Sequence, residues 1–163
     1  MGKTSKRFAE LMKKHGLLEL GWKYKFDQAK ERFGLCNFEN KFISISELIC
    51  LLNEEVNFPA IEDTILHEIA HALTFNQYGA TVKSHGKEWK RIAREIGCNA
   101  NAFFSLDEII VPETKFKYKC PECGYIYGRH RKMSSAKMLS CAICCNKHNH
   151  GKYSEKYKFI LVE

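Results

Sequence analysis

The chain has 163 residues, 45% hydrophobic and 12% aromatic, enough for one domain with a real core plus a small satellite. That composition excludes a disordered chain, and no apolar run is long enough to cross a bilayer. The net charge of +7 is uneven: residues 1–114 carry 15 Lys/Arg against 16 Asp/Glu, a net of −1, whereas residues 115–163 carry 11 against 3, a net of +8.

The N-terminal stretch MGKTSKRFAELMKKHG has no apolar signal core, and Lys6 stands where a myristoylation motif takes Ser or Thr. A cytoplasmic location is therefore expected, or a nuclear one in a eukaryotic host. Residues 4–15 read as an amphipathic helix with Phe8, Leu11 and Met12 on one side and Gly16 as its stop. Trp22 to Phe26 alternates apolar and basic residues, as a strand does. Asp27 is placed to cap a short helix that Gly34 ends. Leu35–Phe38 and Lys41–Ile45 flank Glu39-Asn40, which predicts a β-hairpin. Ser46 caps a further helix through about Asn53. Phe58-Pro59 marks a break and a helix start, since Pro is favoured at the first helical position.

The helix predicted from about Pro59 to Gln77 repeats Ile61, Ile65, Ile69 and Leu73 as its buried stripe. Another of its faces carries His67 and His71, one turn apart, so that both imidazoles can converge on one ion. A second helix, about Ser84 to Ile96, presents Trp89, Ile92, Ala93 and Ile96 on one face and stops at Gly97. Residues 99–114 read as a connector ending at Pro112, followed by short strands and cysteine knuckles from Lys115 onward. Three segments result: an N-terminal helical segment over 1–18, a domain over 19–112, and a basic module over 113–163.

His67-Glu68-Ile69-Ala70-His71 is an HExxH motif. A catalytic zinc takes three protein ligands and keeps a fourth position for water, whose pKa it lowers. A carboxylate beside the first histidine can collect that water's proton, and Glu68 is placed to do so. The motif fixes only three positions, so chance also supplies it in ordinary helices with polar positions. The third ligand follows by elimination. The metzincin positions for Gly and His hold Thr74 and Gln77, and about twenty residues on, where thermolysin-like enzymes place a glutamate, stand Lys90 and Arg91. Glu88 and Glu95 equally suit an exposed helix face. His85 remains, with Gly86 beside it to allow close backbone approach and Trp89 one turn later as an anchor; the plainer alternative is a surface histidine.

Leu66 to Leu73 followed by His85-Gly86-Lys87-Glu88-Trp89 resembles the SprT-like (Spartan-type) zinc metalloprotease family. Trp22 to Ala29, Arg32, Gly34 and Phe42 to Ser46 are similar to its N-terminal half, and the likeness covers about residues 20 to 162. The resemblance implies an endopeptidase with His67, His71 and His85 on a catalytic zinc and Glu68 as acid/base. The family's eukaryotic members digest proteins crosslinked to DNA and are activated by DNA, so action on DNA-bound or DNA-crosslinked proteins is expected here. The expected fold is α+β: a zincin-like helical metalloprotease domain with a small β-hairpin or sheet, followed by a C-terminal zinc ribbon.

For that ribbon the sequence offers Cys120-x2-Cys123-x17-Cys141-x2-Cys144, the spacing of a four-thiolate structural zinc site. Cys145, His148 or His150 are alternatives for the fourth ligand. Cys36, Cys50 and Cys98 have no partner spacing and read as buried small residues. Two Zn2+ ions per chain are expected, one catalytic and one structural. Aromatic and basic residues interleave around the knuckles, which suits single-stranded DNA bound without sequence readout. Cations would hold phosphates and rings would stack on bases, with Lys117, Lys119, Tyr127, Arg129, Arg131 and Lys132 as the candidate residues. The alternatives are ribbon strands whose rings merely fill a thin core, and a non-proteolytic nucleic-acid-binding regulator with a structural HExxH site.

Overall fold

A computed structural model describes residues 2–100, 109–134 and 139–162. Half of the predicted connector over 99–114, residues 101–108, lies outside them. The chain divides into two compact units, residues 1–112 and 113–163, and each has a buried apolar cluster of its own.

In the first unit, α1 (Gly2–Lys14) buries Phe8, Leu11 and Met12, as its apolar spacing predicts. Lys13 and Lys14 occupy its last turn, where cations offset the carbonyl end of the helix. The three buried side chains share one core with Trp22, Ile43, Ile45, Ile65, Ile69 and Trp89, so α1 packs into this unit. Strand β1 (Lys23–Asp27) follows. The short helix expected after it does not form, and residues 28–33 are loop. Instead of capping a helix, the Asp27 carboxylate accepts from the Ala29 N–H at 3.0 Å, from Arg32 at 2.5 Å and from the Ser44 hydroxyl at 2.6 Å. Such local side-chain bonds compete with helical ones and hold the chain in a loop.

Strands β2 (Gly34–Asn37) and β3 (Phe42–Ser46) form the expected antiparallel hairpin. Its turn is fixed by Asn37, whose side chain accepts from the Asn40 N–H at 2.8 Å. β1 joins the other edge of β3 in parallel, giving the order β1-β3-β2. Ser46 ends the strand and caps α2 (Glu47–Asn53), its hydroxyl accepting from the Ile49 N–H at 3.2 Å.

The long helix α3 (Phe58–Tyr78) is capped by Asn57 and holds Pro59 in its first turn, where a missing N–H costs nothing. Ile61, Ile65 and Ile69 are fully buried, and every residue from Thr64 to Ala70 is buried. A 3-10 turn at Gly79–Thr81 leads into α4 (Lys87–Glu95), which starts three residues later than its sequence pattern suggests. Gly97 ends it with φ at +88°.

The second unit is a three-stranded antiparallel sheet, β4 (Phe116–Lys119), β5 (Ile126–Arg129) and β6 (Ile160–Leu161), in the order β5-β4-β6. A short helix, α5 (Ala142–His148), follows Cys141 where the sequence suggested only a knuckle. The chain is thus an α+β protein carrying a four-cysteine cluster in its second unit. Among the described residues no helix is long and apolar enough to cross a membrane.

Candidate metal centres

His67 and His71 project from one face of α3, and His85 reaches them from the loop before α4. The three Nε2 atoms form a triangle with edges of 3.2, 3.0 and 3.0 Å. A tetrahedral zinc with Zn–N of about 2.0–2.1 Å would space its nitrogens by about 3.3 Å. The triangle therefore fits such an ion with small adjustment, and the donors are of the type zinc takes.

Local sequence explains how His85 arrives there. The Gly86 N–H donates to the Lys83 carbonyl at 2.8 Å, and a Cβ on Gly86 would sit 2.8 Å from that same oxygen. Only glycine permits this tight turn, and His85 takes φ of +56° within it, a left-handed conformation uncommon for a residue with a side chain. Trp89, one turn into α4 and fully buried, lies against all three imidazoles with centroid separations of 4.7, 5.3 and 4.6 Å. Burial drives the His67 ring down to about 4 and the His71 ring to about 3, with repulsion from neighbouring imidazoles adding to it. Burial and the charge of Lys90 lower His85 as well. All three are neutral at pH 7, the form in which imidazole binds a metal.

Glu68, the residue after His67 on α3, is 9% exposed. Burial pushes its carboxyl up to about 7, opposed by the positive charge of Arg32 and by a hydrogen bond from the Cys36 backbone. Strand β2 crosses directly over it. A Cβ on Gly34 would lie 2.6 Å from Glu68 Cγ and 2.7 Å from Oε1, so the strand can approach this closely only as glycine. Sequence reasoning assigned Gly34 to the end of a helix and missed this contact. The available signal was a glycine at the head of a strand pattern, which marks close approach of another group. Glu88 and Glu95 stay outside the cluster: the first has Lys87 at 3.8 Å and the second pairs with Arg91 at 3.1 Å.

In the second unit the sulfurs of Cys120, Cys123, Cys141 and Cys144 all lie within 4.8 Å of one another. The Cys120–Cys144 and Cys123–Cys141 separations are 3.8 and 3.7 Å, against about 3.8 Å for thiolates around a tetrahedral zinc with Zn–S of 2.3 Å. The Cys145 sulfur faces the Ser140 hydroxyl at 3.2 Å instead, and His148 packs against Tyr157. Cys50 and Cys98 are buried thiols that burial pushes up to about 12.

The six candidate DNA-binding residues do not form one surface. Strand pairing sets Lys117 opposite Gly128 and Lys119 opposite Ile126, while Tyr118 faces Tyr127 and Phe116 faces Arg129. Side chains alternate along a strand, so Lys117 and Lys119 share one face and Tyr127 and Arg129 the other. Tyr127 stacks on the buried ring of Phe159 at 5.5 Å. Arg131 and Lys132 are exposed beyond the end of β5.

The sequence model of the SprT-like family matches residues 4–109, a stretch that contains the three histidines and Glu68. The chain is 36% identical over 73 residues to Protein SprT of Glaesserella parasuis serovar 5, covering 44% of this chain and 45% of that protein. It is 33% identical over 88 residues to Protein SprT of Vibrio parahaemolyticus, covering 52% and 53%. A longer match to Protein SprT of Yersinia pseudotuberculosis is 26% identical over 144 residues, 86% of this chain and 77% of the relative. The chain spans about half the length of the first two relatives.

Proposed function

This chain belongs to the SprT-like family, and from that premise we propose that it is a zinc-dependent endopeptidase acting on proteins bound or crosslinked to DNA. The observation that carries the reading is the triangle of His67, His71 and His85, with edges of 3.0–3.2 Å, and the buried Glu68 that follows His67 in the chain. The three imidazoles would hold the ion in a zincin-like site. Zinc bound there supplies Lewis acidity, which brings the pKa of a water towards neutrality and polarises a carbonyl. Glu68 takes the attacking water's proton and returns it to the leaving amine. Gly34 and the Cys36 backbone hold the carboxylate against β2, and Trp89 fixes the planes of the imidazoles.

Cys120, Cys123, Cys141 and Cys144 would close around a second, structural zinc that leaves no position for substrate. The basic charge of residues 115–163, net +8 before two charges are subtracted for a four-thiolate zinc, supports binding to the DNA backbone. Lys117, Lys119, Arg131 and Lys132 are its phosphate contacts. Tyr127, stacked on Phe159, serves the ribbon's own core more than a base.

The test is metal counting joined to proteolysis. Wild-type protein should hold two zincs and cut a protein crosslinked to single-stranded DNA faster than the same protein free. His85→Ala should hold one zinc and cut neither. Freshly prepared two-zinc protein with no detectable cleavage would refute the reading, and retention of both zincs in His85→Ala would remove that residue from the ligand set.

A further inference from the structure

A pocket of about 340 Å³ opens off the histidine triangle, and His71 is part of its wall. It is walled chiefly by Phe38, Thr74, Phe75, Val82 and Trp89. Phe38, at the hairpin turn, stacks on Phe75 of α3 at 4.9 Å with ring planes 14° apart. Thr74 turns its hydroxyl back to the Ala70 carbonyl at 2.7 Å, which occupies its donor within the helix. Among the described residues none that lines the pocket is acidic, and the one full charge on its wall is that of the exposed Lys83. A lysine or arginine side chain entering here would lose its hydration, meet no counter-charge and be repelled by Lys83. A large apolar side chain would exchange water for ring and methyl surface, which favours its entry.

Resting on the proposed peptidase reading, we infer that this pocket receives the side chain of the substrate residue flanking the scissile bond on one side. It selects a large apolar residue there and excludes basic ones. Because His71 is both wall and metal ligand in that reading, an occupant of the pocket lies next to the reacting carbonyl. Val82 and Phe38 are then specificity-determining residues, supplied by the loop after α3 and by the hairpin turn.

Two measurements test this. In the first, the zinc-loaded Glu68→Gln full chain is titrated with N-acetyl-phenylalanine amide and with N-acetyl-lysine amide while the Trp89 resonances are followed by NMR. The phenylalanine amide should shift them saturably, at a concentration roughly tenfold or more below any effect of the lysine amide. In the second, cleavage sites in unfolded casein are mapped by mass spectrometry for wild type and Val82→Asp. Wild-type cuts should carry a large apolar residue on one side, and Val82→Asp should move them towards Lys and Arg. An equal response to the two amides overturns the inference, as do cut sites unmoved in a folded Val82→Asp variant. If the wild type cuts nothing while the phenylalanine amide alone still shifts Trp89, the peptidase reading falls and the pocket's selectivity stands.

Discussion

Glu68 and Gly34 lie 34 positions apart in sequence, yet the first occupies the space that a side chain on the second would need. Replacing Gly34 by Ala puts a methyl 2.6 Å from Glu68 Cγ and 2.7 Å from Oε1, so the carboxylate or the strand has to move. Overpacking of this kind costs about 1–3 kcal/mol. Gly34→Ala should keep both zincs and lose about tenfold or more in kcat/KM, because a catalytic group displaced by an ångström is costly. Full activity in that variant would show that Glu68 does not depend on this contact. At this scale the sequence was informative about identity and silent about neighbours. HExxH and the elimination of other spacings led to His85 before any coordinates. The β2 contact depends on how a hairpin lies across a helix, which no local pattern encodes.

Most elements were readable, and the failures have local causes. The caps at Ser46 and the stops at Gly16 and Gly97 act where the sequence predicts. Asp27 misled because one side chain can cap a helix or brace a loop, and the arrival of Ser44 on the neighbouring strand decided for the loop. Burial by itself would raise the Asp27 carboxyl. Hydrogen bonds from Ser44, the Ala29 N–H and Arg32 outweigh that and hold it below its ordinary value. A carboxylate with a depressed folded pKa contributes stability that is present above its unfolded pKa, about 3.9, and is lost as pH falls through the folded value. Thermal melts should therefore show Asp27→Asn less stable than wild type at pH 7, with the gap closing below about pH 4. A gap that stays constant from pH 7 to pH 3 would mean that the ionised form is not what stabilises this loop. The start of α4 was misplaced for a different reason: the turn at Lys83–Gly86 is set by one close backbone approach, and His85 pays for its position with a left-handed backbone.

At the scale of the whole molecule, the two units differ in what holds them together. Residues 1–112 bury a large apolar core around Trp22, Trp89 and the α3 isoleucines. Residues 113–163 bury a small one, in which Cys120, Cys141 and Cys144 stand among Tyr118, Met133, Tyr157 and Phe159. On the proposed reading, a core of that size depends on a structural zinc. Replacing Cys120 and Cys123 together by Ser should remove one zinc and unfold the second unit, seen as loss of the Tyr118 and Phe159 ring signals by NMR, while His67, His71 and His85 keep theirs. Loss of both zincs would contradict that independence. The thiolate spacing was legible because its ligands come in two local pairs. The proposed DNA-binding residues were less so, since alternating aromatic and basic residues look like one mixed patch in sequence and become two opposite faces in a strand. The central claim, that Glu68 is the proton shuttle of a peptidase, has one direct test: Glu68→Gln compared with wild type on a protein crosslinked to single-stranded DNA, with zinc counted in both. Glu68→Gln should retain two zincs and lose at least about a hundredfold in cleavage rate; cleavage at the wild-type rate by the two-zinc variant would contradict it.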